Sequence, residues 1–194
     1  MRPPSGEWAD YNPSWSPDGG RIAFQSVRNG DSDIFFMNVD GTGVTALTDN
    51  DTDDTNPAFS PDGERLAFIS HRHDTKQIYV MNLATGVEQR LTDGEKNYRN
   101  PKWSPAGKWI VSHSDELRDG VDFGTVVIMR ADGSEEQILV DHDSYNFNPF
   151  FSPDGRWVAF ASNRGGEVGV YKIRPDGTDE TMVAPGFCHE SPEQ

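Results

Sequence analysis

The stretch Asn12-Pro13-Ser14-Trp15-Ser16-Pro17-Asp18-Gly19 decides the fold, because the same phrase returns three more times along the chain. In every copy an Asn-Pro pair is followed by a variable residue, an aromatic residue and Ser-Pro-x-Gly. The other copies occupy residues 56–63, 100–107 and 148–155, and the steps between their prolines are 44, 44 and 48 residues. A fixed period of about forty residues is typical of repeat proteins, whose units bury a core only by packing on one another.

Each repeat unit carries four short strand patterns. In the first unit we predict strands at residues 13–16, 21–26, 33–38 and 45–48. Ser-Pro-Asp-Gly supplies the first turn, since proline presets φ and glycine accepts positive φ, and Asp40-Gly41 is a hairpin signal. We expect the Asn-Pro pair to end the connection that precedes the first strand, and the aromatic residue of the phrase to pack between neighbouring units.

Four short antiparallel strands per unit predict an all-β chain, a β-propeller built from four-stranded antiparallel blades, with four blades per chain. We expect one domain over residues 1–194 with blades at about 10–52, 53–96, 97–142 and 143–188, and with 189–194 beginning a further repeat. The third unit departs, because Ala106 replaces the turn aspartate and the loop at 115–124 is longer. Three assemblies stay open: a homodimer forming an eight-bladed ring, a closed four-bladed ring, or a piece of a longer propeller.

The repeat resembles the WD-like repeat of the TolB β-propeller family over residues 10–192. The resemblance lies in Asn-Pro-x-Trp-Ser-Pro-Asp-Gly, in Ile-Ala-Phe-x-Ser-x-Arg, and in the Ile-Tyr-Val-Met-Asn and Leu-Thr segments. It implies a propeller fold, protein partners and a periplasmic or cell-envelope location. The same repeat also occurs in the gating domains of some serine peptidases and in some carbohydrate lyases, which use a histidine-bound metal. The alternative is therefore that this chain is the propeller portion of a larger peptidase-type hydrolase or carbohydrate lyase.

Composition and charge narrow the classes of partner. The formal net charge of −15 disfavours nucleic acid, whose phosphates need Lys and Arg for neutralisation. The sequence has no apolar run of the length that spans a membrane, so we expect no membrane insertion. Cys188 is the single cysteine, which excludes an intrachain disulfide. The five histidines fall at different places in the repeat, which disfavours a catalytic metal site. No Gly-x-Ser-x-Gly nucleophile motif is present.

The connections between blades, just before each first strand, should meet at the mouth of the propeller channel, where variable residues select a ligand. The residues that we predict to bind there are aromatic, charged or amide-bearing: Asp10, Tyr11, Asp54, Tyr98, Arg99, Asn146, Phe147 and His189. Such a set suits a peptide or protein partner. The alternative is that the rings only fill gaps between blades. We therefore expect a non-enzymatic binding scaffold that also self-associates through its blade edges.

The run from Asp49 to Asp54 is the densest group of carboxylates. Alternating Asp49, Asp51 and Asp53 could supply oxygen ligands to Ca²⁺. The run lacks the glycine and glutamate of an EF-hand loop. A solvated acidic loop is therefore the competing interpretation, and we expect no obligatory cofactor.

Overall fold

The computed structural model describes residues 9–28, 30–118 and 120–185 of the chain. Its strands form four separate four-stranded antiparallel sheets, each in simple meander order. The predicted all-β fold with four propeller blades is confirmed. The described part of the chain contains no helix that is long and apolar enough to cross a membrane.

The strands of each blade follow one another directly in the sequence. Blade 1 contains β1 (Asp10–Trp15), β2 (Arg21–Ser26), β3 (Asp33–Asn38) and β4 (Thr45–Ala46). Blade 2 contains β5 (Asp54–Phe59), β6 (Arg65–His73), β7 (Thr75–Asn82) and β8 (Glu88–Arg90). Blade 3 contains β9 (Asn97–Trp103), β10 (Trp109–Arg118), β11 (Val121–Arg130) and β12 (Gln137–Val140). Blade 4 contains β13 (Asn146–Phe151), β14 (Val158–Ser162), β15 (Gly169–Ile173) and β16 (Thr181–Ala184).

The chain divides into two compact units, residues 1–101 and 102–194. In the first unit blades 1 and 2 share an apolar core of alanine, aromatic and aliphatic side chains, namely Ala23, Ile34, Phe59, Leu66, Phe68, Tyr79 and Met81. In the second unit the core joins blades 3 and 4 through Val111, Val126, Ile128, Leu139, Val140, Val158, Phe160, Tyr171 and Ile173. Burial of these faces is the main source of stability, since one blade alone leaves its apolar faces in water.

The first strand of each blade differs from the expectation, because the Asn-Pro pair lies inside the strand. In blade 1, Tyr11 pairs with Gln25 and Ser14 pairs with Ala23, so Asn12 and Pro13 together oppose one residue of β2. This is a β-bulge, in which a residue with positive φ and a proline without an N–H are both tolerated. The repeated asparagines all have φ between 50° and 55°, namely Asn12, Asn56, Asn100 and Asn148. β1 therefore begins at Asp10 and not at Pro13 as predicted.

The aromatic residue of the phrase packs between blades within each unit. Phe59 of β5 stacks on Phe36 of β3 with ring centroids 5.4 Å apart. Phe151 of β13 packs against the core of the second unit. These two contacts confirm the interpretation for Phe59 and Phe151. Trp15, the equivalent residue of blade 1, is instead 57% exposed.

The Ser-Pro-Asp-Gly turn carries its own hydrogen bonds. In blade 2, Ser60 Oγ donates to Asp62 Oδ1 at 2.5 Å, and the amide of Glu64 donates to the same oxygen at 3.0 Å. The hydrogen bond from Ser60 lowers the pKa of Asp62, although partial burial acts in the opposite direction. The turns also contact one another in the first unit, because a Cβ added to Gly63 would lie 3.4 Å from Pro17. The repeated phrase therefore forms the turn and also makes a contact between the turns of blades 1 and 2.

Candidate functional site

A row of side-chain amides runs across the first strands in the first unit. Asn12 Nδ2 donates to Gln25 Oε1 at 2.9 Å, and the backbone amide of Asn56 donates to the same oxygen at 3.2 Å. Asn56 Nδ2 then donates to Asn100 Oδ1 at 2.5 Å. We name Asn12, Gln25, Asn56 and Asn100 the amide row. Asn12 and Asn56 sit on β-bulges, and all three asparagines have the same positive φ, so the backbone presents the three amides in similar orientations.

The amide row lines a polar cleft of about 410 Å³. The walls are completed by two cationic, one hydroxyl and one apolar residue, namely Lys76, Arg99, Thr55 and Ile69. Each asparagine or glutamine amide offers both a donor and an acceptor, as a peptide bond does. The cleft also concentrates two cations in a chain whose net charge is −15. The arrangement can therefore satisfy the backbone of an extended segment and favours acidic groups on that segment.

The predicted binding residues of the first unit are placed in three different settings. Arg99 lines the polar cleft beside the amide row. Asp10 and Tyr11 line a second, more apolar cleft of about 530 Å³ on blade 1. Asp54 and Tyr98 are buried within the first unit. Of the five binding residues predicted in this unit, Arg99 alone lines the cleft of the amide row.

Asp54 is held inside blade 2 by named partners. Its Oδ2 accepts hydrogen bonds from Arg72 at 2.9 Å and from Asn50 at 2.7 Å. The guanidinium of Arg72 also lies over the Tyr79 ring, 5.0 Å from its centroid, and pairs with Glu88. These contacts place the Asp54 carboxylate in a buried ion pair within blade 2.

Comparison with known proteins agrees with this architecture. The TolB beta propeller domain family matches residues 6–124, which is more than half of the chain. The chain belongs to the TolB beta propeller domain family. No curated protein matches the chain in sequence.

Two TolB structures resemble this propeller chain. A protein assigned as TolB in Agrobacterium tumefaciens has 29% sequence identity and a TM-score of 0.76, over 88% of this chain and 63% of that one. TolB from Acinetobacter baumannii has 27% identity and a TM-score of 0.72, over 90% of this chain and 43% of that one. The chain thus spans less than two thirds of either relative. Oligogalacturonate lyase from Vibrio parahaemolyticus has 14% identity and a TM-score of 0.68, over 88% of this chain and 50% of that one, which indicates a shared fold alone.

The second unit of this TolB-type chain carries an aromatic cluster where β13 begins beside β10. Phe147 lies 5.4 Å from Tyr145 between ring centroids, and Tyr145 meets the buried His113 edge-on at 6.3 Å. Tyr145 Oη donates to Asp115 Oδ1 at 2.6 Å. Phe147, one of the predicted binding residues, is half-buried and forms part of a partly exposed aromatic surface.

Asn146 of the second unit joins blade 4 to blade 3. Its side chain is buried, and its Nδ2 donates to the carbonyl of Gly124 at 2.8 Å. Gly124 is required at this contact, because a Cβ there would lie 2.4 Å from the Asn146 carbonyl oxygen. His189, the last predicted binding residue, lies outside the described residues.

The acidic run of this TolB-type chain is placed at the start of blade 2. Asp49, Asp51 and Asp53 are exposed, and Asp53 Oδ1 accepts a hydrogen bond from the Ser32 amide at 3.0 Å. Within residues 9–28, 30–118 and 120–185, no three His, Cys, Asp or Glu side chains are grouped so that they could hold a metal ion. In the structure Asp53 therefore has a definite local role, which is to join blade 2 to blade 1.

The amide row is not apparent from the sequence. The asparagines recur in every unit, which indicates a role in the repeat scaffold, and Gln25 lies on the second strand. The missing signal was the bulge, which pairs Tyr11 with Gln25 and so brings a variable second-strand residue beside the repeated asparagine.

Proposed function

We propose that this chain is a non-enzymatic binding scaffold that holds an extended peptide segment of a partner protein along the amide row. Support comes chiefly from the hydrogen-bonded row of Asn12, Gln25, Asn56 and Asn100, which has the donor and acceptor character of a peptide backbone. Because hydrogen bonds already hold the side chains of the row, little side-chain entropy is lost on binding. Arg99 and Lys76 beside the row would select acidic residues.

Peptide selection tests this proposal directly. A phage library of random linear peptides is selected on the intact chain, and the enriched peptide is synthesised with a fluorophore. Fluorescence anisotropy then measures its Kd for the wild type, for Arg99→Gln and for Arg156→Gln, an exposed arginine of a blade 4 turn. We expect Arg99→Gln to weaken binding about tenfold, which corresponds to about 1.4 kcal/mol. Arg156→Gln should bind as the wild type does.

Two results would contradict the proposal. One is a library that yields no enriched peptide. The other is an enriched peptide whose affinity is the same for Arg99→Gln, for Lys76→Gln and for the wild type, since its site would then lie away from the amide row.

We also propose that the scaffold self-associates, with two chains contributing their blades to one assembly. Exposed apolar side chains on blades 1 and 4 support this idea, because contiguous apolar patches of this kind mark contact surfaces. The likeness to a lyase is a likeness of fold at 14% identity, so it favours no enzymatic function for this chain.

A further inference from the structure

Blade 1 carries a partly exposed apolar face, in which Phe24 is buried and Trp15 and Val44 are exposed. Trp15 pairs with Ile22 across β1 and β2, and Ile22 pairs with Met37 across β2 and β3, so these side chains share one face with Phe24. Phe24 and Met37 line the cleft of about 530 Å³ together with Val44. Trp15 is 57% and Val44 is 42% exposed. We name Trp15, Ile22, Phe24, Met37 and Val44 the blade 1 face.

Blade 4 presents a second apolar face. Phe150 pairs with Ala159, which in turn pairs with Lys172, so these three residues lie on one side of the sheet. Val170 lies on the same side, two residues before Lys172 on β15, and Val168 directly precedes that strand. Phe150, Val168 and Val170 are 54%, 53% and 43% exposed. We name these five residues, Phe150, Ala159, Val168, Val170 and Lys172, the blade 4 face.

The packing of blade 1 on blade 2 shows how two such faces fit together. On the blade 1 side, Ala23, Ile34 and Phe36 receive Phe59 of blade 2, which stacks on Phe36. A backbone hydrogen bond from the Asp54 amide to the Ser32 carbonyl at 2.6 Å closes the contact at one end. This internal interface therefore combines an aromatic stack, an aliphatic patch and a main-chain bond.

The repeat assigns the apolar residues of that interface equivalents on the two partly exposed faces. On the receiving side, Ala23, Ile34 and Phe36 correspond to Ala159, Val170 and Lys172, because Ala159 pairs with Lys172 as Ala23 pairs with Phe36. On the inserting side, Phe59, Leu66 and Phe68 correspond to Trp15, Ile22 and Phe24, because Trp15 pairs with Ile22 as Phe59 pairs with Leu66. The blade 4 face therefore has the shape of a receiving face and the blade 1 face that of an inserting face.

The one chemical change between the two interfaces is complementary. Where Phe36 stacks on Phe59, the equivalent pair is Lys172 and Trp15. An ammonium group over an indole ring is the strongest type of cation–π contact that a lysine makes in proteins. Lys172 Nζ already lies 4.2 Å from the centroid of the Trp157 ring of its own blade, so its ammonium is held on this side of blade 4.

We propose that the blade 4 face of one chain receives the blade 1 face of a second copy of the chain. The inference rests on the proposed self-association and names its surface. A second copy fits because the chain already makes the same contact with itself, between blades 1 and 2, from equivalent residues. In a symmetric pair the contact forms twice, so neither apolar face is left in water.

A matched pair of valine substitutions tests the surface. Val170→Glu places a carboxylate in the blade 4 face, whereas Val87→Glu makes the same change at a residue of blade 2 that is 66% exposed. Both residues are exposed, so neither variant should lose its fold, and circular dichroism verifies that. Multi-angle light scattering over a range of concentrations should give a dimer for the wild type and for Val87→Glu. Val170→Glu should be monomeric, with a dimer Kd raised at least a hundredfold.

A cross-linking experiment identifies the partner face. In a Cys188→Ser background, a chain carrying Trp15→Cys is mixed with a chain carrying Val170→Cys, and the mixture is oxidised. A disulfide between the two different chains is expected, and neither chain alone should cross-link to itself. If the wild type is a dimer but Val170→Glu is one too, this inference is wrong while the proposed self-association stands. A wild type that is monomeric at every concentration overturns both, and neither result bears on peptide binding at the amide row.

Discussion

Blades 1 and 2 each place an arginine over a pair of aromatic rings at equivalent positions. Of the two, blade 2 buries the aspartate that pairs with its arginine, whereas blade 1 leaves it half exposed. Arg72 lies over Phe68 and Tyr79 and bonds Asp54, whose side chain is fully buried. Arg28 lies over Phe24 and Phe35 and bonds Asp10 at 2.8 Å, but 47% of the Asp10 side chain is exposed. The same sequence pattern therefore places an arginine–aspartate pair in two different environments. We expect the contribution of each pair to stability to depend on how deeply its carboxylate is buried.

Arginine removal should show the largest difference between the two blades. Arg72→Ala leaves a carboxylate buried without its cation, so we expect a loss of about 3 kcal/mol in the free energy of unfolding. Arg28→Ala removes an ion pair whose carboxylate is half exposed, together with two cation–π contacts, and should cost about 1 kcal/mol. Urea denaturation of both variants under the same conditions measures the two losses. Equal losses would show that burial of Asp54 does not set the strength of the pair.

A second difference lies at one equivalent position of the third strands, which pairs with Ser26 in blade 1 and with Ser70 in blade 2. In blade 2, Gln77 is buried and its amide donates to the carbonyls of Gly94 and Lys96 at 3.3 and 2.9 Å. In blade 1 the equivalent residue is Asp33, whose Oδ1 accepts a hydrogen bond from Thr48 at 3.1 Å. Its buried Oδ2 has no hydrogen-bond partner in the described structure. Burial, followed by the charges of Asp31, Asp54 and Asp49, raises the pKa of Asp33, although Thr48 acts against this.

Asp33→Asn should therefore stabilise blade 1 in a pH-dependent way. Because the pKa of Asp33 is higher in the folded than in the unfolded chain, folding is favoured by the proton and loses stability as the pH rises above about 4. An asparagine cannot ionise, so we expect a gain of about 1 kcal/mol at pH 7 that disappears near pH 3. Urea denaturation at the two pH values measures it, with exposed Asp51→Asn as the control. A gain that is the same at both pH values would contradict the charge explanation.

The smallest effect is expected at the turn of blade 3. Asp62 of blade 2 accepts hydrogen bonds from Ser60 and Glu64, whereas blade 3 has Ala106 at the equivalent position. Ala106→Asp should restore the bond to Ser104 and add about 0.5 kcal/mol at pH 7, since the site is exposed. The gain should vanish below about pH 3, where the new carboxylate becomes protonated. Thermal denaturation at pH 7 and pH 3 follows it, and a lower Tm at pH 7 would show that the blade 3 turn has a different geometry.

Much of the blade was predictable because strand patterns and turn residues are local. The strands at 21–26 and 33–38 were predicted with the bounds that the structure shows, since glycine-containing turns flank them. The first strand was predicted to begin at Pro13, because Asn-Pro is typical of a connection. In the structure the bulge carries the strand through the pair to Asp10. A bulge depends on the partner strand, so the first strand alone does not reveal it.

The structure places the residues predicted for the candidate site in different settings. Arg99 lines the cleft beside the amide row, whereas Asp54, Tyr98 and Asn146 are buried. Side chains alternate between the two sides of a sheet along a strand, and a bulge shifts that alternation by one residue. The side on which a residue lies therefore depends on where the bulge occurs.

The central claim is that the amide row binds a peptide segment, and nuclear magnetic resonance tests it most directly. The side-chain amide resonances of Asn12, Gln25, Asn56 and Asn100 are assigned in ¹⁵N-labelled chain, and the phage-selected peptide is titrated in. We predict that these resonances shift together and saturate at the Kd that anisotropy gives. Saturable shifts confined to other residues, with the amide row unmoved, would contradict the account.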